Sequence, residues 1–356
     1  MARAQARARL TARPYARIMK IGVIGAGALG ASFAALLHRA GHEVEVTARG
    51  VQLAAIREHG IQLSGGFGEV TAPVTASETL SERPELLLLC TKAQDAENAL
   101  IQNNHALDGA LDGVPTIVVQ NGLDGVATAR RVLPASECFG LLVIIAANYT
   151  TPGEIRITTA APSYLGRGSG PADDETLRWQ KVLSQVAPVI AQDNFVGAQW
   201  TKLIVNMLNG LPAITGLTVQ QVVGQRALRL AMTASMREAV RVAIASGVHF
   251  GSLQGLSNAR LRFFARMPLT LGQLLPLSMK WRMGAVPNLG STQQSLRRGQ
   301  LTEIDYLNGA VVRAGAAVGI AAPVNAAITA LVHEVEQRGA PFSAAETVQR
   351  IRAEQG

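Results

Sequence analysis

KIGVIGAGALG, residues 20–30, is the stretch on which the reading of this chain turns: a β-favouring run, Lys20–Ile24, passes directly into the glycine turn Gly25-Ala26-Gly27-Ala28-Leu29-Gly30. Beyond it, ASFAALLHRA (31–40) has helical character, Gly41-His42 reads as a turn, and EVEVTA (43–48) alternates as a second strand. This is a β–turn–α–turn–β unit of about 30 residues. Further apolar strand candidates follow at 85–90, 116–120, 137–145 and 154–158, alternating with helix-compatible stretches at 51–59, 94–101 and 125–132. The first half therefore reads as a mostly parallel α/β sheet, its last strands open to antiparallel pairing.

The pattern changes at GRGSGPADDET (166–176), a polar Gly/Pro segment. Residues 176–191 read as a helix leading into a short strand-like link around Phe195-Val196, and from Trp200 onward nearly everything is helix-compatible. The expected organisation is a basic extension over 1–18, an α/β domain over 19–192, a helical domain over 193–340 and a C-terminal tail over 341–356.

With 356 residues, 48% hydrophobic and 16% charged, the chain has the profile of a packed globular protein of two domains, which excludes a disordered or collagen-like bulk. Its apolar runs, such as 86–90 and 141–147, fall short of the roughly 18–20 residues that cross a bilayer. Cys90 and Cys138 lie in or beside strand-like runs and read as buried thiols, not as a disulfide or metal site, which suits a reducing compartment. No metal is expected. The net charge of +8 suggests nucleic acid until its location is considered: Arg3, Arg7, Arg9, Arg13 and Arg17 stand in an acid-free tail, and without them 28 basic residues face 25 acidic ones. The tail reads as a disordered extension ahead of Met19, with an organellar presequence or an anion-binding arm as alternatives.

Gly25-x-Gly27-x-x-Gly30 sits where a dinucleotide site requires it, between a strand and a helix. The first glycine allows a tight turn, the second lets the backbone approach a pyrophosphate, and the third permits close helix–strand packing; the helix N-terminus offers free N–H groups to phosphate. At the end of the second strand, where an acid would bind ribose hydroxyls, stands Arg49. An arginine there can hold a 2′-phosphate, so NADP is favoured over NAD; a solvated strand-end charge is the alternative. Lys92 in TKAQ and Asn121 in QNGLDG follow two later strands and so fall at the ligand edge of such a sheet.

In the helical half, Lys202 and Asn206 stand four residues apart on one face of an otherwise apolar helix. A partly desolvated lysine has its pKa lowered toward neutrality, which suits proton transfer. Farther on, NLGSTQQ (288–294) leads to TEIDYLNG, in which Glu303, Asp305, Tyr306 and Asn308 flank apolar Ile304 and Leu307. Periodicity alone makes that segment an amphipathic helix with a charged rim.

Taken in order, KIGVIGAGALG, Arg49, TKAQ, QNGLDG, KLIVN (202–206) and TEIDYLNG resemble the ketopantoate reductase family (2-dehydropantoate 2-reductase), from Met19 to about Glu336. The resemblance implies an N-terminal Rossmann-type dinucleotide-binding domain followed by an all-α C-terminal domain, with the active site between them. It implies NADPH-dependent reduction of 2-dehydropantoate to (R)-pantoate on the way to pantothenate and coenzyme A. By the family's pattern, Gly25, Ala26, Gly27, Ala28, Leu29, Gly30, Arg49, Lys92, Asn121 and Ala146 contact NADP, with Glu303 near both cofactor and substrate. Lys202 matches the proton donor; Asn121, Lys202, Asn206, Ser291, Thr292, Gln293 and Gln294 match substrate-binding positions.

Two departures lie in the substrate half. Where the family often has Asn-Pro some eight residues after the lysine, Gly210 takes the gapless position and Asn209 precedes it; a later Asn-Gly corresponds to Gln220-Gln221. Residues 261–287, with Lys280, Trp281 and Arg282, carry no assignable role. The competing readings are a reductase of another branched 2-oxo acid and a non-catalytic NADP-binding sensor. The expected partner is a small 2-oxo acid, with no nucleic acid and no membrane; a homodimer is compatible with the resemblance, and cytoplasm is the expected location.

Overall fold

The computed structural model describes residues 17–284 and 286–354. Residues 1–16, most of the expected basic extension, lie outside the described residues; Arg17 donates to Glu85 and Met19 is buried.

The first half contains β1 (Lys20–Ile24), α1 (Ala28–Arg39), β2 (Glu43–Thr47), α2 (Gly50–His59), β3 (Ile61–Gly65), β4 (Val70–Ala72), β5 (Thr75–Ser77), β6 (Leu86–Leu89), α3 (Ala96–Ala106), β7 (Thr116–Val118) and α4 (Gly125–Val132). There follow β8 (Cys138–Val143), β9 (Ala146–Thr151), β10 (Glu154–Thr159), β11 (Ser163–Gly166), α5 (Asp174–Leu183) and β12 (Val189–Ala191). Continuous apolar runs such as LLLL in β6, buried at every position, are what a strand covered on both faces requires.

The main sheet has eight strands in the order β12-β11-β8-β7-β6-β1-β2-β5. β1 pairs parallel with both β2 and β6; the chain adds strands on one side of β1 as far as β5 and then, from β6, on the other, so β1/β6 is the switch point at which a doubly wound sheet opens a ligand crevice. Antiparallel pairing enters where β11 meets β8.

A second sheet, β4-β3-β10-β9, was not foreseen, and the 154–158 run belongs to it and not to the main sheet. It explains α1. Residues 30–37 of that helix are all buried, because α1 lies between the main sheet and the small one and has no solvent face. The strand-like link expected around Phe195-Val196 is a helix start; the strand is β12, and the helix expected over 176–191 ends at Leu183.

The helical half runs through α6 (Phe195–Asn206), α7 (Gly210–Thr215), α8 (Val219–Gly224), α9 (Arg226–Ala245), α10 (Asn258–Arg266), α11 (Leu269–Gly272), α12 (Leu274–Met283), α13 (Ser291–Arg297), α14 (Asn308–Ala317), α15 (Pro323–Arg338) and α16 (Ala344–Ala353). The 20-residue α9 is its axis, with Met232, Met236 and Val240 fully buried among the surrounding helices. The stretch expected as a tail, 341–356, carries α16, which buries Val348 and Ile351 in the same core. No helix among the described residues is long and apolar enough to cross a membrane.

Phe195 fastens the halves together. Its ring occupies the space above Gly140 of β8, where an added Cβ would lie 2.3 Å from ring carbons, and its Cβ is 2.9 Å from where one on Gly166 would stand. Strand glycines here make room for an aromatic side chain from the next domain.

Candidate active site

The glycine turn uses its three glycines for three different reasons. Gly25 has φ +102° and packs on Thr91, whose N would lie 2.9 Å from an added Cβ. At Gly30 a Cβ would be 2.0 Å from the Gly25 carbonyl oxygen and 2.8 Å from the Cys90 Cβ, so the helix can sit this close to the strand only without a side chain. At Gly27 nothing lies within 4 Å, leaving open space at the N-terminus of the 12-residue α1. That opening, flanked by unpaired helical N–H groups, fits a pyrophosphate. Ala26, Ala28 and Leu29 complete the turn, with Ala26 buried and bonded from its N–H to the Thr47 carbonyl at 2.9 Å.

Arg49 lies at the end of β2, exposed, and donates to Gln102 Oε1 at 2.6 Å. The arginine thus leans from the end of β2 toward α3. Gln52, one turn farther along, is a residue the sequence reading missed. Its Nε2 donates to the Ala26 carbonyl at 2.9 Å, and its Oε1 accepts from Tyr149 Oη at 2.7 Å and Gly153 N at 2.8 Å, tying the glycine turn to the small sheet. No motif marks it, because its partners come from elsewhere in the chain.

Lys92, Asn121 and Glu303 are brought together at the opposite wall. Lys92 Nζ donates to the Leu301 carbonyl at 2.6 Å, and the Ala93 N–H donates to Glu303 Oε1 at 3.1 Å. Gly122, at φ +89°, presses on the Tyr306 carbonyl, which would stand 2.6 Å from an added Cβ. Burial pushes the Glu303 carboxyl above the ordinary carboxylate range against the pull of the Ala93 N–H, the Lys92 charge and the Asn121 amide. Burial also lowers Lys92, against the carboxylates of Glu303 and Asp95.

Lys202 projects from α6, whose start is fixed by Asn194: the Asn194 side chain accepts from Gly197 N at 3.2 Å and donates to the His249 carbonyl at 2.6 Å. Thr201 Oγ1 adds a bond to the Gly251 carbonyl at 2.7 Å. The helix is thereby locked in rotation, and Lys202, half-buried at the junction, donates to the carbonyl of Val143 at the end of β8. Loss of hydration lowers its pKa to about 8. Asn206, one turn on, donates from Nδ2 to Asn121 Oδ1 at 3.4 Å. Ala146 stands three residues past Val143, exposed at the start of β9, and its carbonyl accepts from Thr158 Oγ1 at 3.2 Å.

Ser291, Thr292, Gln293 and Gln294 form the first turn of α13. Ser291 is exposed and its Oγ lies 3.4 Å from Asn209 Nδ2. Thr292 and Gln293 are buried, and Thr292 Oγ1 and Gln293 Oε1 have no hydrogen-bond partner among the described residues. Asn209 and Gly210 differ in the space around them. An added Cβ at Gly210 would be 2.5 Å from Ile328 Cγ2, inside the core, whereas Asn209 faces Gly290 and Ser291. Gln220, the first of the two residues that depart from the family's pattern, ties down the preceding loop, donating to the Val286 carbonyl at 2.7 Å and accepting from Asn288 N at 3.0 Å. Of the two cysteines, Cys138 is buried with its thiol pushed up to about 11, and Cys90 is half-buried under Gly30, its thiol raised further by burial. Burial thus disfavours the thiolate at both.

Fold and cleft together define a class, a two-domain oxidoreductase built around a nicotinamide dinucleotide. Family models match nearly end to end: "Ketopantoate reductase PanE/ApbA" over residues 21–170 and "Ketopantoate reductase PanE/ApbA C terminal" over 194–336. The chain belongs to the ketopantoate reductase family, as an oxidoreductase of the 2-dehydropantoate 2-reductase type. It is 27% identical over 325 residues to the 2-dehydropantoate 2-reductase of Pyrococcus abyssi, covering 88% of this chain and 97% of that one, and 29% identical to that of Halobacterium salinarum, covering 90% and 100%. Among solved structures, a PanE/ApbA family ketopantoate reductase from Ralstonia eutropha JMP134 superposes with a TM-score of 0.73 at 30% identity, over 90% of this chain and 99% of that one. A D-mandelate dehydrogenase in complex with NADH shares the fold at 22% identity, with a TM-score of 0.74 over 90% and 99%.

Proposed function

We propose that this chain catalyses the NADPH-dependent reduction of 2-dehydropantoate (ketopantoate) to (R)-pantoate. The observation that carries the reading is Lys202: a half-buried lysine with a pKa of about 8, held at the junction of the halves against the Val143 carbonyl, one helical turn from the Asn206 amide that bonds to Asn121. When bound, reduced nicotinamide supplies a hydride to the C2 ketone carbon.

Gly25, Ala26, Gly27, Ala28, Leu29 and Gly30 seat the pyrophosphate with backbone N–H groups, and Arg49 pairs with the 2′-phosphate. Lys92, Asn121, Ala146 and Glu303 line the nicotinamide side. Lys202, as ammonium, donates a hydrogen bond to the ketone oxygen and passes its proton to the alkoxide that forms there, leaving a neutral amine. Its lowered pKa makes it a better acid than a solvated lysine while leaving most of it protonated near neutrality. Asn206 and the Ser291–Asn209 pair offer donors to the substrate carboxylate, with Thr292, Gln293 and Gln294 shaping the same wall. Glu303 accepts from the substrate's terminal hydroxyl, a contact that a purely alkyl 2-oxo acid cannot make.

The test is the initial rate of NADPH oxidation with ketopantoate, beside other branched 2-oxo acids and with NADH in place of NADPH. Rapid turnover selective for ketopantoate and NADPH supports the reading. Turnover with a different 2-oxo acid alone moves the substrate, and no turnover with any of them leaves a dinucleotide-binding sensor.

A further inference from the structure

Leu301 to Asp305 form a strap that closes the cleft from the helical side, and α15 grips this strap on either side of Glu303. The Thr302 N–H donates to Glu336 Oε1 at 2.7 Å. His333 Nδ1 lies 2.8 Å from Glu336 Oε2, and its Nε2 lies 3.0 Å from Asp305 Oδ1. Glu336 has only 9% of its side chain exposed. On its other face the strap meets the dinucleotide domain, through Lys92 to the Leu301 carbonyl and the Ala93 N–H to Glu303.

Both ring nitrogens of His333 therefore face carboxylate oxygens. Only the imidazolium carries a proton on each nitrogen and donates to both; the neutral ring must present a lone pair to one carboxylate. We propose that His333, as imidazolium, is a positioning residue of the reductase: by tying Asp305 to Glu336 it holds the strap, and hence Glu303 and the Leu301 carbonyl, in register with Ala93 and Lys92, so that NADPH affinity depends on the protonation of a histidine. The proposal rests on the reading of Lys92 and Glu303 as cofactor-side groups.

The charged groups around the trio are few. Arg313 of α14 donates to the Asp305 carbonyl at 2.8 Å and to Asp124 Oδ2 at 2.9 Å; Lys92 feels the Glu336 charge from across the cleft, beside Glu303 of the strap itself; Glu334 of α15 is paired with Arg350 of α16. Burial alone would lower the His333 pKa, but the bonds to Asp305 and Glu336 and their charges outweigh it, and the net direction is upward. A raised pKa means that the clamp is intact at low pH and is lost as pH rises through the folded value. NADPH binding should weaken on the alkaline side.

The experiment is a fluorescence titration of NADPH, without 2-oxo acid, across roughly pH 6 to 9 on wild type and His333→Gln, which cannot bear the charge. It is paired with hydrogen exchange at Thr302 in the ligand-free protein. The wild-type Kd is expected to rise roughly 2- to 10-fold with pH, the worth of one hydrogen bond, while His333→Gln stays at the weaker level throughout and exchanges faster at Thr302. The kcat at saturating NADPH and saturating 2-oxo acid should change little, separating positioning from chemistry. Should His333→Gln not fold, Asp305→Asn, which keeps its backbone contacts, is expected to flatten the same profile. Equal exchange at Thr302, or an unchanged pH dependence of Kd, overturns the clamp. A wild type that binds NADPH with this profile but reduces no 2-oxo acid overturns the functional reading and leaves the clamp standing.

Discussion

Asn206 donates its amide to Asn121 Oδ1 at 3.4 Å, joining the helix that carries Lys202 to the turn after β7. Both side chains therefore border the same volume. If they act on substrate as a pair, Asn121→Ala and Asn206→Ala should each lower kcat/KM for ketopantoate, and the double variant should lose less than the product of the two. Simple multiplication of the effects would show that the amides work independently.

Two glycines three residues apart in the same turn, Gly27 and Gly30, should fail in opposite ways. Gly30→Ala places a Cβ 2.0 Å from the Gly25 oxygen and should destabilise the fold by about 1–3 kcal/mol or more, read as a lowered Tm. Gly27→Ala enters open space at an ordinary φ of −71° and should leave Tm unchanged while weakening NADPH binding. A normal Kd in Gly27→Ala would show that the opening is not the pyrophosphate seat.

Arg49→Asp should raise the KM for NADPH by about 10- to 100-fold, the range of a charge-assisted hydrogen bond, and change the KM for NADH far less. Kinetics with both cofactors decide it. An unchanged preference would remove Arg49 from the 2′-phosphate.

Gly210→Asn, which puts an asparagine at the family's gapless position, should destabilise the chain, because its Cβ would meet Ile328 Cγ2 at 2.5 Å. Asn209→Ala, by contrast, should fold normally and raise the KM for the 2-oxo acid. Thermal unfolding and steady-state kinetics on the two variants separate core from cleft.

What the sequence made legible follows from how local each signal was. The unit from Lys20 to Thr47 could be read because its apolar runs and glycines lie within one stretch, and Lys202 because a charge interrupts an apolar helix face. β3, β4 and β5 were missed: strands of three to five residues, some with every second residue polar, resemble loop until the helix they cover is known. Phe195 was misread because β-propensity was overridden by the Asn194 cap. α16 lies where a tail is expected, because only Val348 and Ile351 are spaced to face one core in an otherwise polar segment. Gln52 and His333 were invisible for a different reason, since their partners Tyr149, Asp305 and Ala26 lie far off in sequence and only the fold brings them near.

The most direct test of the account is single-turnover oxidation of NADPH by ketopantoate, followed against pH in wild type and Lys202→Ala. The lysine must be protonated to act, so the wild-type rate should be high at neutral pH and fall as pH rises through about 8. Lys202→Ala should be slower by about 10²–10⁴ and should lose that alkaline limb. A variant that turns over at near wild-type rate, or with the same pH profile, would contradict the assignment of Lys202 as the proton donor.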